Sequence, residues 1–262
     1  MDITKTKQIK DNGHVKELMK LMKANNLPGT EDLAYVIKNV GAMEQQLDIA
    51  AKALAEIRQG LAAMLEEGSQ DKAALKEIIA ALETNNKTLR NLVEDLKGHV
   101  VNGCKNAVAA FKEKGLSALC NVADYLKIRP SLENLQDSLA KSITRDDTAI
   151  IRIMEISDEY HEAEQNQKNV GRFIVGKDAS LEVKPSFKLA KAMEAPYRAD
   201  NACCMAMRSC ASWVISGLDR LENAGRKPPI METIHNLNKE IAQKQKNAPT
   251  VERTRPVTHD ER

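Results

Sequence analysis

Residues 30–64 read TEDLAYVIKNVGAMEQQLDIAAKALAEIRQGLAAM, and this stretch decides the fold. Its apolar residues recur at alternating spacings of three and four, from Leu33 to Met64. A strict repeat of this kind keeps one narrow apolar stripe of a helix facing a partner helix. Thr30 and Glu31 supply a polar and acidic helix start. The pattern therefore predicts a long helix of the coiled-coil type.

A second stretch with the same pattern follows Gly68 and Ser69, which end the first helix. Its leucines fall seven residues apart from Leu75 to Leu96. Asn86 interrupts a neighbouring apolar row, where a polar side chain either fixes the register or lies on a solvated flank. Because the connection between the stretches is short, we expect the two helices to form an antiparallel hairpin.

The leading residues of these two repeats are candidate packing or interaction positions. They are Leu33, Val40, Leu47, Leu54 and Leu61 in the first helix, and Leu75, Leu82, Leu89 and Leu96 in the second. If the helices cover one another, these side chains are internal. If they do not, they present an apolar seam to a second copy or to a partner protein.

The whole chain is poor in aromatic residues. Its 262 residues include three Phe, four Tyr and one Trp, although 42% are hydrophobic. Strands favour aromatic and β-branched residues, whereas packed helices make do with aliphatic ones. We therefore expect an all-α fold, in which a long coiled-coil-like helical hairpin adjoins an elongated helical bundle with a disordered C-terminal tail.

Glycines and prolines divide the chain into five regions. These are a short N-terminal helical segment over 1–28, the hairpin over 30–98, amphipathic helices with a long acidic helix over 99–170, C-terminal helices over 171–247, and a disordered tail over 248–262. Gly98 and Gly103 mark the expected end of the hairpin. In the long acidic helix, Asp146 and Asp147 fall where the apolar stripe would pass, so the stripe drifts or the helix bends there.

No site for chemistry is predicted. Residues 171–177, GRFIVGK, match the start of a phosphate-binding loop, but Asp178 stands where a magnesium-binding Ser or Thr is needed, and no strand precedes. A helix end explains the same residues. The five histidines are scattered without the paired Glu-x-x-His of a di-metal bundle. Trp213 is interpreted as a core anchor. We expect no catalytic, cofactor-binding or metal site, and no enzyme.

Charge and cysteine content bound the setting. With 39 basic and 37 acidic residues the net charge is +2, which argues against a dedicated nucleic-acid binder. The odd number of cysteines, five, and the lack of a Cys-x-x-Cys pair indicate reduced thiols. Neither a signal peptide nor an apolar run of about 20 residues is present. We expect a cytoplasmic protein.

Four stretches of the chain carry a resemblance to a family. They are residues 41–47, 109–119, 168–172 and 195–198. Over most of residues 30–222 the chain resembles an uncharacterised family of gut Clostridia proteins, whose members are often encoded on integrative and conjugative mobile elements. The resemblance implies a bacterial cytoplasmic setting and a part in maintaining or transferring the element. It implies no activity, cofactor or functional residue.

The expected function is therefore association rather than catalysis. We expect a non-catalytic helical structural or adaptor protein that binds a partner protein, or a second copy of itself, through its helical seams. The alternative is an accessory factor at a nucleic acid or a membrane surface, using the basic amphipathic segments near 105–127 and 184–198.

Overall fold

The computed structural model describes residues 8–64, 70–179 and 188–226. A 3-10 turn, Ile9–Asp11, precedes α1 (Gly13–Ala24), α2 (Thr30–Met64), α3 (Gln70–Lys114), α4 (Leu116–Cys120), α5 (Val122–Leu126), α6 (Arg129–Ile174) and α7 (Lys188–Arg226). These ranges contain no strand, so the prediction of an all-α fold is confirmed. The predicted tail over 248–262 lies outside the described residues.

Four long helices form one bundle. Helix α2 packs against α3 and, more extensively, against α7, while α6 packs against α7 and α3. Cross-helix contacts show that α2 is antiparallel to α3 and to α7, and that α6 is antiparallel to α7. The contacts are Arg90–Asp48 and Lys97–Glu44 between α2 and α3, Arg220–Asp32 and Cys203–Gln46 between α2 and α7, and Arg129–Glu222 and Arg145–Asp200 between α6 and α7. The helices therefore alternate up and down, with α2 diagonal to α6.

The predicted seam residues lie in the interior of this bundle. Those with described side chains are each at most 1% exposed: Leu33, Val40, Leu47, Leu54, Leu75, Leu82, Leu89 and Leu96. The side chain of Leu61 lies outside the described part. The hairpin predicted over 30–98 is thus half of a larger bundle, because α7 covers the α2 stripe together with α3. The buried seam residues are out of reach of another molecule in this fold.

The sequence indicated that the second helix ends near Gly98. In the structure α3 continues to Lys114. At Gly103 the backbone of α5 comes so close that a Cβ atom would lie 2.7 Å from both Leu126 Cα and the Tyr125 carbonyl oxygen. Gly103 is therefore a contact glycine inside a continuous helix. Its small size lets α5 pack directly on α3.

The second half of the chain departs from expectation at one aromatic residue. Trp213 is 50% exposed, so its interpretation as a core anchor is wrong. Helix α7 turns Met207, Ala211 and Val214 toward the bundle and leaves Trp213 at the edge of this stripe.

Helix α7 also runs through Pro196 without a break. No helix in the described part of the chain is long and apolar enough to cross a membrane.

The two glycines of α3 predict opposite effects of the same substitution. At Gly98 a Cβ atom meets nothing within 4 Å, so Gly98→Ala raises the free energy of unfolding by up to about 1 kcal/mol through helix propensity. Gly103→Ala lowers it by about 1–3 kcal/mol, because the added methyl group meets backbone atoms that cannot move aside. Urea unfolding followed by circular dichroism measures both. Equal stabilisation by the two substitutions contradicts the close contact of α3 and α5.

Candidate functional site

A pair of buried carboxyl groups lies between α6 and α7. Asp146 is 0% and Asp200 1% exposed. Asp146 continues the buried stripe of α6 beyond Leu139 and Ser142. The apolar stripe therefore does not drift at this point, and a carboxyl group takes a position inside the bundle.

A polar network holds the pair. The Arg145 guanidinium places Nη2 at 2.7 Å from Asp146 Oδ1 and at 2.9 Å from Asp200 Oδ2. From α3, Asn85 Nδ2 donates to Asp200 Oδ2 at 3.0 Å. The Ser142 hydroxyl lies 3.0 Å from Asn85 Oδ1 and donates to that amide oxygen or to its own helix. One layer of side chains thus ties α3, α6 and α7 together.

The remaining oxygen of each carboxyl group lacks a donor in the described part of the chain. No N–H or hydroxyl group of the described residues bonds to Asp146 Oδ2 or Asp200 Oδ1. Each carboxyl group is among the groups that shift the pKa of the other. Burial raises the pKa of Asp146 to about 7 against the opposing effect of Arg145, and burial also raises the pKa of Asp200. Because two buried like charges are costly, the pair retains one proton up to neutral pH.

The chemical capacity of this pair is limited by access. Two carboxyl groups that share a proton are suited to acid–base chemistry. Here both are sealed inside the bundle, and the side chain of Arg145, which is 41% exposed, links them to solvent. In this conformation neither carboxyl group is accessible to a molecule in solution.

A second candidate site is an apolar groove between α1 and α2, which we name the lysine groove. It has a volume of about 950 Å³, and its walls include Ile9, Val15, Met19 and Ile37. Five lysines line it: Lys10, Lys16, Lys20, Lys23 and Lys38. None of the described lining residues is acidic.

Local structure explains the shape of the lysine groove. The Asn12 side chain caps α1 by accepting the His14 backbone N–H at 3.0 Å. Helix α1 buries Leu18 and Met22 on one face, so its lysines line the opposite edge. Lys16 Nζ pairs with Asp11 at 2.9 Å. Among the described residues, Lys20, Lys23 and Lys38 have no ion-pair partner.

The structure describes the segment that matches the start of a phosphate-binding loop. The segment 171–178 is a helix end: Val175 N–H donates to the Arg172 carbonyl at 3.1 Å, and Gly176 has a φ of 72°. Among all the residues that the structure describes, no group of three or more His, Cys, Asp or Glu side chains is placed to hold a metal. The helix end that the sequence indicated at these residues is therefore present.

The cysteines are mostly inert. Burial raises the pKa of the Cys104 and Cys203 thiols to about 12, and it also raises the pKa of Cys204 and Cys210. A thiol in this state is neither a nucleophile nor a metal ligand at neutral pH. Cys120 is half-buried.

Comparison with known proteins assigns the chain to a family. A family of unknown function, DUF6674, matches residues 11–256. The chain belongs to this family. The match confirms the resemblance to an uncharacterised family in that form. No curated protein and no solved structure matches the chain.

Sequence reasoning missed both candidate sites in this DUF6674 member. A signal for the carboxyl pair was present, since Asp146 interrupts an apolar stripe. Its partner Asp200 lies on another helix, so nothing local indicated the pairing. The lysine groove combines residues of α1 and α2 that periodicity treats as two separate solvated faces.

The carboxyl pair predicts that stability depends on pH. The pKa of Asp146 is about 7 in the folded chain, against about 3.9 when unfolded. Between these values the folded state holds a proton that the unfolded state has lost. The free energy of unfolding therefore falls as pH rises, by up to about 1.4 kcal/mol per pH unit, and levels off above about pH 7.

Asp146→Asn tests this origin of the pH dependence. The amide is uncharged like the protonated carboxyl group, but it does not titrate, so the decline between about pH 5 and pH 7 disappears. Urea unfolding across this range measures it. Asp95→Asn, at an exposed position, is the matched control and keeps the decline. A decline of wild-type size in Asp146→Asn assigns the proton to another group.

Proposed function

We propose that this protein is a non-catalytic helical adaptor that binds an acidic amphipathic helix of a partner protein in the lysine groove. The observation that carries the proposal is the combination of apolar walls with five lysines and no acidic residue among the described lining. An amphipathic helix lays its apolar face into such a groove. Acidic residues flanking that face then meet the lysines, which sets specificity and speeds association.

The location of the seam residues supports an adaptor surface outside the seams. The described seam side chains are buried within the bundle. Association with a partner therefore uses a surface that the bundle leaves open. The lysine groove is such a surface, because Met19 and Ala42 remain half-buried along it.

The burial of reactive groups supports a role without catalysis. The shared-proton pair Asp146–Asp200 is sealed from solvent, and the thiols of Cys104, Cys203 and Cys204 are buried with raised pKa values. These are the described groups best suited to acid–base or nucleophilic chemistry. We propose that their role is structural.

The proposal includes a setting. The protein works in the bacterial cytoplasm, in the maintenance or transfer of a mobile element, as the resemblance to the gut Clostridia family implies. Reduced, buried cysteines support a reducing compartment. In this setting the partner is a protein of the same element or of its host.

Charge reversal in the lysine groove tests the proposal. The probe is a fluorescent helical peptide with one leucine face flanked by glutamates. The triple variant Lys20→Glu, Lys23→Glu, Lys38→Glu weakens its binding at least about tenfold, since attraction becomes repulsion. Fluorescence anisotropy measures the dissociation constant. The matched control is Lys52→Glu, Lys76→Glu, Lys87→Glu, which changes the same net charge at exposed lysines elsewhere and leaves binding unchanged.

A second variant tests the apolar part of the groove. Ala34→Trp places a large side chain in the groove from an exposed position and weakens binding of the peptide at least about tenfold. Ala80→Trp, at an exposed position on α3, leaves binding of the peptide unchanged. A peptide of the same composition with scrambled order binds poorly. Equal losses in groove and control variants overturn the proposal. Preferential binding to duplex DNA or anionic vesicles favours the accessory-factor alternative. If the protein is a dimer and the groove variants are monomers, the occupant of the groove is a second copy of the chain.

A further inference from the structure

A second groove opens beside the buried carboxyl pair, along α6, α7 and α3. Its volume is about 780 Å³, within the range of small-molecule sites. Its cationic wall consists of Lys141, Arg145 and Arg152 on α6. Its apolar floor consists of Ile78, Ile153 and Met193. We name it the arginine groove, and it is separate from the lysine groove of the proposed function.

The cationic wall presents its charge to the groove. The spacing of Lys141, Arg145 and Arg152 places them within about 40° of one another around the helix. Within the described part of the chain, Lys141 and Arg152 have no ion-pair partner. The lining hydroxyls of Thr144 and Thr148 donate to carbonyls of their own helix, at 3.0 and 2.7 Å. No described lining residue is acidic, so the charges of Lys141 and Arg152 are not neutralised within the groove, whereas Arg145 pairs with Asp146 and Asp200 behind it.

We propose that the arginine groove binds a small amphiphilic anion. A carboxylate or phosphate head group pairs with the cationic wall, where guanidinium groups offer paired N–H donors. The apolar body of the ligand covers the apolar floor. Both halves are required, because surface cations alone hold an anion weakly against water and salt.

Arg145 couples this ligand to the buried carboxyl pair. Its guanidinium lines the groove and also bonds Asp146 and Asp200. A bound anion adds negative charge beside the pair and competes for the Arg145 donors. Both effects favour the protonated pair, so binding takes up a proton near neutral pH.

The other groups around the carboxyl pair do not replace Arg145 in this role. From α7, Tyr197, Cys203 and Cys204 face the pair, and burial raises the pKa of each. These three groups are therefore neutral near pH 7. From α3 the facing group is the uncharged Asn85. Arg145 is the charged side chain that touches both the pair and the groove.

Calorimetric titration of the full chain with octanoate and with hexyl phosphate tests the site. We expect both to bind, and hexanol and inorganic phosphate to bind at least about tenfold more weakly, because each supplies only half of the ligand. The double variant Lys141→Gln, Arg152→Gln weakens binding at least about tenfold. The matched control Lys87→Gln, Arg208→Gln, which removes the same charge at exposed positions, does not.

The proton link is tested with octanoate, which does not itself titrate near pH 7. Titrations in two buffers of different ionisation enthalpy show proton uptake by the wild type and none by Asp146→Asn, which still binds octanoate. Absence of binding at millimolar octanoate and hexyl phosphate overturns the site, as does equal weakening by the control variant. Binding without proton uptake overturns the link through Arg145. Charge reversal in the lysine groove leaves all these results unchanged, which separates this site from the proposed function.

Discussion

The bundle depends on the shared burial of one apolar stripe. Helix α2 lies between two antiparallel neighbours, α3 and α7. Together they bury its apolar residues Leu33, Val40, Leu47 and Leu54. A seam that a coiled coil would give to one partner is here covered from two sides. This arrangement puts α6 diagonal to α2 and packs it against α3 and α7. The layer that ties Asp146 to Asp200 exists because of this closure.

That layer holds the buried carboxyl groups of a core that is mostly apolar. Replacing buried charged groups by apolar ones often costs nothing in stability, so they are weak as stabilising elements. Their hydrogen bonds are directional, however, and Asn85, Arg145 and Asp200 satisfy one another only in one alignment of α3, α6 and α7. We infer that the layer selects the register of the bundle. The raised pKa values of Asp146 and Asp200 link the stability of the layer to protonation.

The two grooves, both in the described part of the chain, differ in chemistry. The lysine groove is lined by single ammonium groups around apolar walls, which suits an extended acidic helix. The arginine groove is smaller and includes guanidinium groups next to the buried pair. We propose a partner helix as the occupant of the first groove and, for the second, a small anion that is linked to the buried pair through Arg145. The seam residues with described side chains are buried between the helices of the bundle.

The sequence by itself determined the all-α class, the apolar stripes of α2 and α3 and the helix end at 171–178, because all three depend on residues near each other in the chain. It did not determine which helix covers which stripe. Periodicity records that a face is apolar, but the partner is chosen by packing in space. For this reason only the tertiary structure decided that α7 lies on α2, that Gly103 is a contact with α5, and that Asp146 meets Asp200. Both candidate sites arise where separate helices meet, and no local pattern encodes that meeting.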